Sequence, residues 1–227
     1  MTPTVLLFDI DGTLLDAGNA GRRAMRAAFG ALTGHEDASD HFSYAGMTDH
    51  AIARQGLTHI GREPTEASIA VLIDAYLERL EGELRATDRY RVLPGVGPVL
   101  DAVTADGVAL GLGTGNVKRG AFAKLARGLI HEHFSFGGFG CDAEDRTELL
   151  RVGARRGAET LGVPFEECRV VVIGDTPKDV AAAKGIGAVC VGVATGGTSV
   201  EAMRALGAEH AYETLEHADV VGVLLGR

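Results

Sequence analysis

The sequence predicts a doubly wound α/β fold on a mainly parallel, Rossmann-like sheet, with an α-helical unit inserted after the first strand. Three features carry that prediction. Short aliphatic runs at residues 5–8, 108–112, 169–173 and 188–193 are each closely followed by Gly, Asp or Thr. Such runs, apolar throughout rather than at alternate positions, read as parallel strands covered on both faces. Amphipathic patterns lie between and after them, and strand alternating with helix marks a doubly wound sheet. The third feature is a gap: roughly ninety residues separate the first run from the second, where a plain crossover needs about a dozen.

In chain order, the first strand leads into helical patterns at residues 19–32, 48–59 and 65–85, with almost no strand signal among them. Thr65 and Glu66, just after Pro64, form a helix-start cue at the head of the longest apolar-periodic stretch. These helices define a cap over residues 17–91, joined to the core near residues 15–18 and 90–95. Residues 1–16 and 92–227 form the α/β core. Helical patterns at 95–105, 118–129, 147–161, 177–186 and 199–206 then alternate with the remaining strands.

A chain of 227 residues accommodates a core plus an inserted unit, and its 46% apolar content supports a well-buried interior. Acidic residues outnumber basic ones 31 to 22, which argues against nucleic acid or an anionic membrane surface as the main partner. No apolar stretch is long enough to cross a bilayer. The opening Met1-Thr2-Pro3-Thr4 carries no basic or apolar leader, and Cys141, Cys168 and Cys190 read as reduced core thiols, so a cytoplasmic protein is expected. Only four lysines occur, Lys118, Lys124, Lys178 and Lys184, none of them in the cap.

Four segments lie at carboxyl ends of strands, the edge where parallel sheets bind ligands. The first is Asp9-Ile10-Asp11-Gly12-Thr13. In an extended backbone side chains at i and i+2 share one side, so the two carboxylates converge, and a cation such as Mg²⁺ relieves their repulsion. Alone, the pentapeptide equally makes an ordinary turn. The second is Gly113-Thr114-Gly115-Asn116, whose hydroxyl, glycines and helix-start N–H groups suit phosphate oxygens or a plain helix cap. In Gly174-Asp175-Thr176-Pro177-Lys178-Asp179, two carboxylates offer hard oxygen ligands, or else cap a helix with Pro177 in its first turn. Arg146, in an acidic stretch before a helix, can pair with a carboxylate and with phosphate, or lie solvated. His131-Glu132-His133 has no matching ligand pair elsewhere and reads as an exposed helix end.

In this order the segments DxDGT, T-G-N, a basic residue and GDxxxD resemble the haloacid dehalogenase-like hydrolase superfamily, in particular its phosphoglycolate phosphatase-like members with a helical cap. The resemblance spans nearly the whole chain. It implies a Mg²⁺-dependent phosphatase that hydrolyses a small phosphate monoester. Asp9 would be the nucleophile that forms an aspartyl phosphate, and Asp11 the general acid and base. Thr114, Gly115, Asn116 and Arg146 would bind phosphate. Asp9, the Asp11 main-chain carbonyl and Asp175 would hold Mg²⁺, with Asp179 supporting them. Many relatives carry Lys where Arg146 stands. The resemblance also admits a β-phosphoglucomutase-like mutase, although the best-known mutases of this type have Val at the place of Thr13. Phosphonate hydrolases and haloacid dehalogenases lack the second Asp, and a non-enzymatic phospho-acceptor of the receiver type would be about half this length and carry no cap. In the cap, Arg22, Arg23, Tyr44, Met47 and Thr48 are candidates to reach the leaving group, with Arg22 expected on the surface.

Overall fold

The computed structural model describes residues 2–227. In chain order it runs β1 (Thr4–Phe8), β2 (Leu15–Asp16), α1 (Ala20–Thr33), α2 (Asp49–His59), α3 (Glu66–Ala86), β3 (Arg91–Val92), α4 (Val96–Ala105) and β4 (Ala109–Thr114). It continues through α5 (Lys118–Arg127), β5 (Phe136–Phe139), α6 (Arg146–Leu161), β6 (Arg169–Gly174), α7 (Pro177–Gly185), β7 (Val189–Val193), α8 (Val200–Leu206), β8 (His210–Tyr212) and α9 (Val220–Leu225). Six strands form one sheet in the order β5-β4-β1-β6-β7-β8. Every pairing in it is parallel.

β1 is central, and its side chains alternate between two cores. Leu6 and Phe8 enter the cluster that extends under the cap, whereas Val5 and Leu7 enter the one beneath α6 and α7. Burial on both faces is why the run Val5-Leu6-Leu7-Phe8 is apolar throughout. From β1 the sheet grows through β4 to β5, then reverses and grows through β6 to β8. The reversal leaves the carboxyl ends of β4, β1 and β6 side by side.

Between β1 and β4 lie the three helices of the inserted cap. α3 starts at Thr65, whose hydroxyl accepts the Ser68 N–H, and it buries Ile69, Leu72, Ile73, Tyr76 and Leu80 along one stripe. α1 opposes it with Ala24, Met25, Ala28 and Phe29. The chain enters and leaves the cap through an antiparallel ribbon that pairs Leu15 with Val92 and Asp16 with Arg91.

Several elements depart from the sequence expectation. β5 was not expected, because Phe136-Gly137-Gly138-Phe139 carries two strand-weakening glycines. They are required by packing: a Cβ on Gly138 would lie 1.8 Å from the Leu149 carbonyl oxygen of α6. β8 and α9 are too short for a periodic signal. Of the three cysteines only Cys190 is a core thiol, since Cys141 is exposed and Cys168 half-buried. His131 and His133 sit half-buried in a single 3-10 turn rather than exposed at a helix end, and the His133 Nδ1 lies 3.3 Å from the Thr104 hydroxyl. Among the described residues no helix is long and apolar enough to cross a membrane.

Candidate active site

A cavity of about 440 Å³ opens where the carboxyl ends of β1, β4 and β6 face the cap. Asp9 follows β1 directly, and its N–H donates to the Ile173 carbonyl at 2.9 Å, which extends the β1–β6 ladder and fixes where the carboxylate stands. Arg146 approaches it from the first turn of α6, whose N-cap is Asp145. The Arg146 Nη2 lies 2.8 Å from Asp9 Oδ2 and 2.6 Å from Asp179 Oδ1. Its Nε donates to the same Asp179 oxygen at 2.8 Å. The other Asp179 oxygen accepts the Thr176 N–H at 3.0 Å and the Thr176 hydroxyl at 2.7 Å, closing a capping box at the start of α7.

Asp175 follows β6 as Asp9 follows β1. Its Oδ1 accepts the Thr13 hydroxyl at 2.9 Å. Its Oδ2 is roofed by backbone: a Cβ on Gly12 would lie 2.4 Å from it, and one on Gly196 1.6 Å. Gly12 also has a φ of 86°, which only glycine adopts freely, so the turn after Asp11 needs glycine twice over.

Carboxylate oxygens of Asp9, Asp175 and Asp179 lie within 4.8 Å of one another, and all three residues are buried. The Arg146 guanidinium contacts Asp9 and Asp179, and the Lys178 ammonium lies within Coulombic reach of Asp179. Burial pushes the Asp9 carboxyl up to about 6, against the pull of Arg146 and with the help of Asp179. Burial likewise raises Asp175 to about 8, and the Asp9 and Asp179 charges add to it. Three buried carboxylates gathered this closely make an all-oxygen donor set that suits a hard divalent cation.

On the β4 side a second network gathers. Asn116 donates from Nδ2 to Asp11 Oδ2 at 2.8 Å and to the Thr114 hydroxyl oxygen at 2.9 Å. Lys124, reaching in from α5, donates from Nζ to Asp11 Oδ2 and to Asn116 Oδ1, both at 2.6 Å. A lysine can only donate, so it fixes the orientation of the Asn116 amide. Below this network Asp49, the first residue of α2, ties cap to core: its N–H donates to the Gly115 carbonyl at 2.8 Å, and its carboxylate accepts the Val117 N–H at 2.8 Å.

A haloacid dehalogenase-like hydrolase family model matches residues 3–187. The chain belongs to the haloacid dehalogenase-like hydrolases. No curated protein sequence matches it. Among solved structures, this hydrolase is similar to CbbY from Rhodobacter sphaeroides in complex with xylulose-1,5-bisphosphate, at 21% identity and TM-score 0.72, covering 95% of this chain and 96% of that one. It is similar to a predicted phosphoglycolate phosphatase from Haemophilus somnus, at 16% identity and TM-score 0.69, covering 98% of each chain. It also resembles a protein described as a candidate β-phosphoglucomutase from Bacteroides vulgatus, at 18% identity and TM-score 0.69, covering 99% of this chain and 91% of that one. At identities this low the likeness shows a shared fold alone.

In this hydrolase Asp9, Asp11, Thr114, Gly115, Asn116, Arg146 and Asp175 all line one cavity, and Asp179 stands behind them. Three details differ from the sequence reading. β1 ends at Phe8, so Asp9 and Asp11 lie just past the strand rather than within it; both line the cavity, and they meet different cations, Arg146 and Lys124. The Asn116 side-chain amide is spent on protein groups, whereas Thr114 accepts from Asn116 and keeps its own O–H for another acceptor. Arg22 is not a plain surface residue: it lines the cavity, pairs with Asp40 at 3.2 Å and sits 4.8 Å over the Tyr44 ring. Tyr44 and Met47 line the cavity too, while Arg23 pairs with Glu83 and Thr48 caps α2.

Lys124 was missed as a site residue. The signal was available, because Ala121, Lys124 and Leu125 form the buried stripe of α5, and a lysine inside such a stripe must meet an acceptor.

Proposed function

We propose that this hydrolase is a Mg²⁺-dependent phosphatase that cleaves a small phosphate monoester through a phosphoryl group carried on Asp9. The observation that carries the reading is the buried Arg146 Nη2. It stands 2.8 Å from the Asp9 carboxylate and 2.6 Å from Asp179 Oδ1, aligned for a hydrogen bond with neither. A buried guanidinium held beside the Asp9 carboxylate with a poorly aligned N–H has capacity for a further anionic oxygen, and a phosphoryl group seated against Asp9 supplies one.

On this reading Asp9 attacks phosphorus in line, forming an acyl-phosphate bond as the ester P–O bond breaks. Asp11 gives its proton to the departing alkoxide and then takes one from the water that cleaves the acyl phosphate. Arg146 and the free Thr114 O–H hold phosphoryl oxygens, so the protein acts chiefly by position and charge. Mg²⁺ held by Asp9, Asp175 and the Asp11 main-chain carbonyl would supply positive charge to those oxygens, with Asp179 anchoring Arg146 behind them. Residues 17–91 form the cap that closes over the reaction, and residues 1–16 and 92–227 the catalytic core.

The test is release of inorganic phosphate from a panel of monoesters with and without Mg²⁺, with Asp9→Asn as control. Activity that requires Mg²⁺ and vanishes in Asp9→Asn is the expected result. An inactive wild type, or an equally active Asp9→Asn, overturns it. Hexose 1-phosphates in the panel separate hydrolysis from isomerisation, since a mutase accumulates the 6-phosphate without stoichiometric phosphate release.

A further inference from the structure

Lys124 belongs to none of the motif segments, yet its ammonium is a buried cation of the site. Its side chain is only 6% exposed, so the charge is held out of water and must be matched locally. It is matched by Asp11 Oδ2 and Asn116 Oδ1, both at 2.6 Å. The cap closes over it: a Cβ on Gly21 of α1 would lie 3.5 Å from Nζ and 3.7 Å from the Tyr76 hydroxyl of α3.

The pattern at Asp11 is one-sided. Both donors, Lys124 Nζ and Asn116 Nδ2, engage Oδ2. Among the described residues Oδ1 has no partner, although the Asp11 side chain is 45% exposed and lines the cavity. A carboxylate pinned through one oxygen has its rotation fixed and the other oxygen presented to whatever occupies the cavity.

We infer that Lys124 is a positioning residue for proton transfer: by pinning Oδ2, it aims Asp11 Oδ1 at the leaving oxygen of the ester. The inference rests on the role proposed above for Asp11. Proton donation matters for an alkoxide leaving group and hardly at all for p-nitrophenolate, which departs without a proton. Loss of the pin therefore discriminates between substrates, whereas loss of general structural integrity does not.

The experiment compares wild type and Lys124→Met, both with Mg²⁺, on an alkyl phosphate at steady state and on p-nitrophenyl phosphate in the first turnover. Lys124→Met is expected to lower kcat on the alkyl ester about 100-fold, the usual scale of general acid catalysis. Its KM should stay within about threefold and the nitrophenol burst rate should be nearly unchanged, because Lys124 bonds to Asp11 and Asn116 and to none of Asp9, Arg146 and Thr114. Adding Asp11→Asn should abolish the further effect of Lys124→Met. Lys124→Gln, similar in length and polar, serves the same comparison where Met weakens the fold. Equal losses on both substrates, or no loss on either, overturn the role of Lys124. Absence of phosphate release by wild type overturns the phosphatase reading instead.

Discussion

The Arg146 guanidinium stands 2.8 Å from the Asp9 carboxylate with both side chains less than a tenth exposed, and the same guanidinium grips Asp179. One cation thus links the end of β1 to the start of α7. Arg146→Ala leaves two buried carboxylates unpaired, a loss on the order of 3–5 kcal/mol when one partner of a buried pair is removed. Phosphate release should fall by roughly 100- to 1000-fold, the scale of losing one charge-stabilising donor. Arg146→Lys keeps the charge but not the fork that reaches Asp9 and Asp179 together, so it should recover stability better than activity. Thermal melts and phosphate-release assays on both variants check this, and a fully active Arg146→Ala would count against any role for the pair.

Gly196→Ala should act on the cation rather than on the fold. Its Cβ would fall 1.6 Å from Asp175 Oδ2, so the carboxylate has to move. Disturbing a group that orients a ligand typically weakens metal binding about 10- to 100-fold. The Mg²⁺ concentration for half-maximal activity should rise accordingly, with kcat largely recovered at saturating Mg²⁺. An unchanged Mg²⁺ titration contradicts the assignment of Asp175 as a ligand.

Removal of the cation should cost more stability at high pH than at low pH. Without it, Asp9 and Asp175 titrate at about 6 and about 8, above their ordinary carboxylate range. Raised folded-state values make the metal-free protein lose stability as pH climbs through that window, because the buried carboxylates ionise without a counter-charge. Mg²⁺ supplies the counter-charge and competes with the protons. The increase in Tm on adding Mg²⁺ to chelator-treated protein is expected to be larger at pH 8 than at pH 5.5, and the opposite order would refute the charge argument.

Asp49 makes the cap–core seam sensitive to pH. Burial raises its carboxyl to about 6 from 3.8, with Lys124 and the Val117 N–H pulling it back and the Asp11 charge pushing it up. Its stabilising contribution is therefore complete below 3.8 and lost as pH rises through about 6, up to about 3 kcal/mol for a shift of this size. Asp49→Asn retains an acceptor for Val117 and removes the titration. The Tm of wild type minus that of the variant should fall between pH 4 and pH 7, whereas parallel melting curves would show that Asp49 does not titrate in this range.

The strand runs and the helix stripes were legible because periodicity is a local property: apolar continuity wrote the central strands, and the 3.6-residue repeat wrote the helices. β5 escaped for a reason outside its own segment, since the glycines that erase its strand signal admit neighbours, Gly138 the backbone of α6 and Gly137 Leu112 of β4. The aspartates around positions 9 and 175 were legible because each directly follows an apolar run. Arg146 was legible as a cation near a helix start but not as the partner of both Asp9 and Asp179.

By itself, then, the sequence determined the α/β alternation, the helical insertion and the carboxylates at the strand ends, because each is set by residues a few positions apart. Only the tertiary structure decided which cation serves which carboxylate. Lys124 is 113 residues from Asp11 in the chain, and the Thr13 hydroxyl is 162 from the Asp175 carboxylate it holds. Such pairs exist because the sheet order places β4, β1 and β6 side by side and docks α5 and α6 against their ends. Strand order is a property of long-range packing, and no local repeat encodes it.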